Sequence, residues 1–167
     1  VWRHSTLNRD WKLKVFSSLI ESRLFYGLPS GCLSVADSRR LDGFQCRCLR
    51  QVLGIPPAYL SRVSNERVFQ AAGQTRASAL LLQRQLSLLG EVLRAPQTSP
   101  LSYLSFTPGT DQPAVSRYVR RVGRPHREWI PTVLQRAYFL TGGHNELLER
   151  CQDEIGWKQF IRDTVRH

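Results

Sequence analysis

Residues 34–54 read SVADSRRLDGFQCRCLRQVLG, which is the sharpest local pattern in the chain. It predicts an amphipathic helix from about residue 34 to residue 53, with Ser34 as the N-cap, Asp37 in the first turn and Gly54 closing it. With about 100° of rotation per residue, two groups of side chains fall on opposite sides of this helix. One side holds Arg39, Arg40, Arg47 and Arg50, and the other holds Leu41, Phe44, Cys48, Leu49 and Val52. The stretch therefore predicts a basic face backed by a core stripe.

The basic face also has a plain interpretation, because most charged helix faces are simply solvated. Only Asp42, three residues after Arg39, offers local neutralisation. Since a face of one sign repels itself, we expect something anionic to dock there.

The remaining sequence also shows the apolar spacing and the start and stop residues that are typical of helices. Apolar spacing predicts helices at about 8–26, 64–72 and 75–94, a further helix from Trp129 onward, and a last helical stretch from about 145 to the end. Residues 95–124 lose this periodicity and are rich in proline, so they either separate two units or pack as an irregular strap. No segment shows strand alternation. We predict an all-α fold with a helical bundle over 1–94, a basic Pro-rich linker over 95–124 and a helical C-terminal extension over 125–167.

The charge indicates the class of partner. Arginine supplies 21 of the 24 basic residues. Residues 1–124 carry 18 Lys+Arg against 7 Asp+Glu, whereas residues 125–167 carry 6 against 6. Because arginine binds phosphate with a planar fork and stacks on bases, nucleic acid is the first partner to consider. A basic surface without a specific role, or a coding sequence that favours arginine codons, would give the same composition.

Motifs that carry catalysis are missing from the sequence. It has no Gly-rich phosphate loop, no nucleophile elbow and no H-x-x-x-H pair, and its one adjacent carboxylate pair, Asp153-Glu154, lies among balanced charges. We therefore predict that this chain alone is not an enzyme and needs no cofactor. The cysteines are Cys32, Cys46, Cys48 and Cys151. Their spacing matches neither a paired zinc site nor a disulfide framework, so we interpret them as apolar fillers in a reducing, intracellular compartment, with no metal.

Two further expectations concern the ends of the chain and the membrane. The chain has no methionine and begins Val1-Trp2-Arg3, so we expect a piece of a longer product. No uninterrupted apolar run approaches the length of a bilayer, and we expect no membrane partner.

Several short elements follow one another in the order of a known family. They are residues 1–7, 12–16, 22–28, 39–50 with Gly54, 62–65, 123–129, and Asp153 with Trp157. Together they resemble the segment after the palm in non-LTR (LINE-type) retrotransposon reverse transcriptases. The matching features are a basic helix ending in glycine, an arginine-to-asparagine stretch, a G-R-P-x-x-x-W element and a D-x-x-x-W-like ending. These elements span nearly the whole chain.

The resemblance implies a role without catalysis. Residues 1–94 would be the helical thumb, which holds the template–primer duplex against the palm, and the rest would be the C-terminal extension. The palm with its metal-binding aspartates would belong to the parent RNA-directed DNA polymerase and not to this chain. A cysteine/histidine knuckle found in some relatives is not matched, since Cys151 stands alone. The implied partners are RNA–DNA hybrid or duplex nucleic acid, bound with low sequence specificity, and the rest of the polymerase, in the nucleus or cytoplasm.

We predict one set of nucleic-acid-binding residues. They are Arg39, Arg40, Arg47, Arg50, Lys12, Arg62, Arg117, Arg120, Arg121 and Arg124. The first four come from the helix geometry, and the family pattern supports a basic helix there without fixing each role. If about four arginines each neutralise one phosphate, the log–log salt slope of binding is about −3 to −4.

The sequence is compatible with further functions. An all-α protein-interaction module derived from such an element, without nucleic-acid binding, would be favoured by an exposed apolar patch. A basic protein at the membrane surface would also carry this charge, and so would a reading frame that is never expressed.

Overall fold

The computed structural model describes residues 7–110, 112–114 and 128–165. Throughout these residues the fold is all-α, which confirms the predicted fold class. The described residues contain no β-strand, only an isolated antiparallel bridge between Phe106 and Pro113. The chain forms two compact units, Val1–Pro29 with Leu33–Leu81 and Ser30–Cys32 with Leu82–His167.

The helices agree with most of the predicted ones. They are α1 (Arg9–Val15), α2 (Ser22–Leu24), α3 (Val35–Leu53), α4 (Ala58–Ser61), α5 (Asn65–Ala72), α6 (Ala77–Arg94), α7 (Pro100–Ser105), α8 (Trp129–Thr141), α9 (His144–Gln152) and α10 (Glu154–Thr164). The last predicted stretch is two helices, because the backbone of Asp153 is extended and its side chain caps α10 by accepting from the Ile155 amide at 3.0 Å.

The π-helical stretch Phe16–Glu21 connects α1 to α2. A π-helix bonds residue i to i+5, and the Ser22 amide donates to the carbonyl of Ser17 in this way. Five residues make little more than one π-helical turn, so Phe16 and Glu21 both point inward and are buried. In an α-helix the same spacing would place them on different sides.

The first unit has an apolar core and a buried polar contact. The core cluster is Leu13, Phe16, Cys46, Leu49, Val52, Val68, Phe69 and Ala72. Beside it, the amide of buried Gln45 donates to Glu21 Oε1 at 3.1 Å and to the Thr75 carbonyl at 2.9 Å. The Ala77 amide donates to Gln45 Oε1 at 2.7 Å. One side chain of α3 therefore fixes both the π-helical stretch and the start of α6.

In the second unit, α10 packs on α6 through Trp157. The indole is 1% exposed, and its Nε1 donates to the Leu86 carbonyl at 3.0 Å. Gly90, one turn further along α6, leaves room for this ring, since a Cβ there would collide with the indole. Arg94 Nη1 donates to the Cys151 carbonyl at 2.9 Å and so links α6 to α9.

The proline-rich segment contains a helix that the sequence did not predict. Ser99 caps α7 by accepting from the Leu101 amide at 3.3 Å, and Pro100 is its first residue, where a proline is tolerated. Six residues are too few to show an apolar period. The predicted limits of the linker, 95–124, stay a prediction; the division between the compact units falls within α6, after Leu81.

Candidate nucleic-acid interface

The ends of α3 are fixed as the sequence predicted. Ser34 Oγ accepts from the Asp37 amide at 3.1 Å, and the Asp37 carboxylate accepts from the Ser34 amide at 3.3 Å, which completes a capping box. Gly54 ends the helix in the left-handed region, at φ 69°. These caps set where the helix begins and ends, and its neighbours set which side faces inward.

Four of the five residues predicted for the core stripe of α3 pack inward, since Leu49 and Val52 are buried and Cys48 and Leu41 are half-buried against core clusters; Phe44 is the exception. The buried side chains are Gln45, Cys46, Leu49, Arg50 and Val52. Phe44, predicted to be in the core, is 38% exposed. The difference arises because α1 and α5 both pack on the side of α3 that carries Cys46 and Leu49. A helical projection of α3 alone cannot reveal where those neighbours lie.

Arg50 is not on the basic face to which the sequence assigned it. It is 6% exposed, and its Nη1 donates to the Pro56 carbonyl at 3.0 Å. Its Nη2 donates to the Val63 carbonyl at 2.6 Å and to Asn65 Oδ1 at 3.1 Å. Carbonyls in the connection from α3 to α5 lack helical partners, and buried carbonyls need donors. The guanidinium supplies those donors, so its role is to hold this connection.

The other three arginines of α3 are exposed. Arg40 Nη1 lies 3.6 Å from Asp37 Oδ1, and an ion pair this exposed contributes little. In the part of the chain that the structure describes, neither Arg39 nor Arg47 forms an ion pair. The α3 helix therefore keeps an outward cluster of guanidiniums, reduced from four to three.

Asp42 does not neutralise this cluster as its spacing from Arg39 suggested. Its Oδ1 accepts from the Ser78 amide at 2.8 Å, and its Oδ2 accepts from Ser78 Oγ at 2.7 Å. The carboxylate therefore satisfies donors at the start of α6 and complements the positive end of that helix. Asp42, the one acid that the sequence set against this cluster, is therefore committed to internal contacts, and the acid that lies beside the cluster is Asp37, next to Arg40.

Exposed residues at spacings of three and four form one surface, which we call the α3 face. Its members are Arg40, Phe44, Arg47 and Gln51, with Arg39 at its edge. Phe44 follows Arg40 by four residues and precedes Arg47 by three, so it comes between them along this side of the helix. Guanidiniums bind phosphates, and an aromatic ring offers a surface for a base or sugar. Phe44 was not predicted to belong to a site because its apolar side chain was counted as core.

The remaining predicted residues are placed as follows. Lys12 is half-buried on α1, which packs against α3. Arg62 is exposed and ends α4 in the left-handed region, at φ 56°. Arg50 donates hydrogen bonds to the two residues on either side of Arg62, to Ser61 Oγ at 3.4 Å and to the Val63 carbonyl at 2.6 Å. These bonds hold the backbone around Arg62 in place. Arg117, Arg120, Arg121 and Arg124 lie outside the described residues.

The geometry also bears on metal, thiol and membrane sites. Residues 7–110, 112–114 and 128–165 include no group of three or more His, Cys, Asp or Glu side chains that could hold a metal ion. The four cysteines are free thiols, and Cys46 and Cys151 are buried. None of the helices described here combines the length and the apolar character that crossing a membrane requires.

Comparison with known protein families, curated proteins and solved structures found no match. The likeness to reverse transcriptases therefore depends on the short sequence elements, and what it implies about function is a proposal.

Proposed function

We propose that this chain is a non-catalytic, nucleic-acid-holding part of a retrotransposon reverse transcriptase, and that it grips the backbone of the template–primer duplex. The observation that carries the proposal is the α3 face, where Arg40 and Arg47 flank Phe44 while Asp42 is bound to α6. The partners would be RNA–DNA hybrid or duplex nucleic acid and the rest of the parent RNA-directed DNA polymerase, inside the cell in the nucleus or cytoplasm.

The chemistry of the face suits holding rather than reading a sequence. Contacts to phosphate position a protein on a duplex but carry no base information, which gives low sequence specificity. An RNA–DNA hybrid is A-like, with a wide and shallow minor groove along which a helix can follow the backbone. Three exposed arginines, each neutralising one phosphate, give a log–log salt slope of about −2 to −3 instead of the value for four.

The α3 face is tested by reversing its charge. In Arg40→Glu/Arg47→Glu, we expect affinity for a 12-base-pair RNA–DNA hybrid to fall by about tenfold or more, because two charge-assisted contacts become repulsions. Fluorescence anisotropy of a labelled hybrid, measured at several salt concentrations, gives both the affinity and the slope.

The matched control is Arg23→Glu/Arg67→Glu, which changes the net charge equally with two exposed residues on other helices of the same unit. Near-normal binding of this control supports a localised contact. If both variants weaken binding equally while circular dichroism shows intact helices, the electrostatic attraction comes from the overall charge of the protein. That outcome would reject the α3 face as the nucleic-acid contact.

A groove in the second unit favours the other candidate, an all-α protein-interaction module. Its volume is about 720 Å³, and it is lined by Leu82, Thr132, Gln135, Arg136, Phe139 and Leu140. Phe139 is 89% exposed at its edge. An exposed aromatic ring in a groove with both apolar and polar lining residues is typical of interaction surfaces. Under this candidate, neither the wild type nor the α3 variants bind hybrid measurably.

A further inference from the structure

The second unit also contains a basic cleft between α6 and α10. Its volume is about 380 Å³, and its lining residues are Gln83, Arg84, Ser87, Lys158, Ile161 and Arg162. On α6, Ser87 is three and four positions after Arg84 and Gln83, and on α10, Lys158 is three and four positions before Ile161 and Arg162, so each set lies on one side of its helix. Each helix therefore contributes one wall.

The walls of the cleft are fixed to each other. Lys158 directly follows Trp157, whose buried indole donates to the Leu86 carbonyl, and Leu86 directly precedes Ser87. Ile161 is 3% exposed and forms an apolar floor. The two helices that form the walls are therefore held together, and the exposed side chains of Arg84, Lys158 and Arg162 extend from them.

Positive charge predominates in the cleft. Lys158 forms an ion pair with Glu154, and its hydrogen bond and charge lower the pKa of that carboxyl. Arg162 uses its Nε to donate to the Lys158 carbonyl at 3.3 Å, which leaves its two Nη groups for another acceptor. The nearby acid Asp163 accepts from Gln159 at 3.0 Å instead of entering the cleft. Glu154 is thus paired with Lys158, and Arg84 and Arg162 add two further basic side chains to the lining of the cleft.

We infer that this cleft binds the phosphate group of a nucleotide unit. Guanidiniums, an ammonium, the Ser87 hydroxyl and the Gln83 amide supply donors that match the acceptor oxygens of phosphate. The cleft is larger than a phosphate alone requires and lies within the size range of small-molecule sites, about 300–1,000 Å³. Its apolar floor suits the sugar or base. The nucleotide unit is either free or part of a nucleic-acid chain, and the inference stands on this unit without the α3 face.

The experiment follows the backbone amide signals of residues 83–87 and 158–162 in NMR spectra of the full chain. Three probes are titrated separately: inorganic phosphate, adenosine monophosphate and the RNA–DNA hybrid. We expect the monophosphate or the hybrid to shift these signals in the wild type and not in Arg84→Gln/Arg162→Gln. If the hybrid binds there, the same variant reduces its salt slope by about 1 to 2.

The control is Arg67→Gln/Arg136→Gln, which removes the same charge from exposed positions outside the cleft and keeps the shifts. Shifts with the monophosphate indicate a free nucleotide, and shifts with the hybrid alone indicate a nucleic-acid chain. No shift with any probe overturns the inference, and equal affinity for inorganic phosphate and the monophosphate rejects the nucleotide part. Arg40→Glu/Arg47→Glu separates the two proposals, because it leaves the monophosphate shifts in place even where it abolishes hybrid binding.

Discussion

Arg50 places a positive charge inside the first unit and satisfies it with neutral oxygens. Its hydrogen-bond partners are the carbonyls of Pro56 and Val63, Asn65 Oδ1 and Ser61 Oγ. A planar fork with several donors can serve such a scattered set of acceptors, which the compact ammonium of lysine cannot do. The basic face was predicted from the residues of α3 alone. The burial of Arg50 depends on hydrogen-bond partners in the connection that follows α3, which that pattern does not include. The sequence could predict a basic helix but not which arginine turns inward.

Truncation of this side chain tests its structural role. In Arg50→Ala, we expect the free energy of unfolding to fall by about 2–4 kcal/mol, because the Val63 carbonyl and Asn65 Oδ1 lose the guanidinium donor and a buried side chain is removed. Arg50→Lys is expected to lie between the wild type and Arg50→Ala. Urea unfolding followed by circular dichroism measures these changes.

Arg47→Ala serves as the control, because Arg47 is exposed on the same helix, and its effect is expected within about 0.5 kcal/mol. Equal stability of Arg50→Ala and Arg47→Ala would contradict the assigned role. This result also bears on binding studies, since a charge reversal at Arg50 would disturb the fold and could not report on nucleic-acid contact.

At the scale of the elements, long helices were predictable and short ones were not. The caps of α3 were correct to the residue at Ser34 and Gly54 because capping chemistry is local. The four-residue α4 and the six-residue α7 were missed, since an apolar period needs a window of about 11 residues or more. The break between α9 and α10 is a cap at Asp153, whose carboxylate was predicted only as one of a pair among balanced charges.

Gly90 in α6 provides a test of helix packing. A glycine-to-alanine change inside a helix normally stabilises it by about 1 kcal/mol. In Gly90→Ala we expect the opposite, a loss of about 1–3 kcal/mol, because the new methyl group would collide with the buried Trp157 indole.

Gly43 in α3 is the matched control, since a Cβ there meets nothing within 4 Å. Gly43→Ala is expected to raise the free energy of unfolding by about 0.5–1 kcal/mol. Chemical unfolding of the two variants should therefore give changes of opposite sign. A stabilising effect at both positions would mean that α10 does not pack closely on α6.

At the scale of the whole molecule, the fold class followed from the sequence more fully than the candidate sites did. Helical periodicity and helix caps depend on residues that are close together in the sequence. A binding surface depends on residues that the fold brings together from distant elements. Residues 125–167 have balanced charge, yet Lys158 and Arg162 meet Arg84 of α6 in one cleft. Net charge by segment could not show this. Four of the predicted binding arginines, at 117, 120, 121 and 124, lie outside the described residues and stay predictions.

Global stability should depend on pH through Cys151. Burial raises the pKa of this thiol from its ordinary value of 9.0 to about 11, although the Arg94 guanidinium acts in the opposite direction. The unfolded chain therefore loses the proton at lower pH than the folded chain does. This contribution to stability is fully present below about pH 9 and is lost as the pH rises toward about 11.

Urea unfolding at about pH 8.5 and about pH 10.5 measures this effect. We expect the wild type to lose more stability between these values than Cys151→Ala, in which the thiol is absent. The comparison of pH dependences cancels the contribution of other titrating groups and the cost of the smaller side chain. Parallel pH dependences of the two proteins would contradict the burial of this thiol.

The position of Asp42 has one more consequence. Its carboxylate is held by Ser78, and Arg47 forms no ion pair within the residues that the structure describes, so mobile ions of the solvent balance its guanidinium. An anion arriving at this helix would displace chloride and water and would not have to break an internal ion pair of Arg47 first. Such an exchange costs no rearrangement of the chain, and its free energy is set by the salt in the surrounding solution.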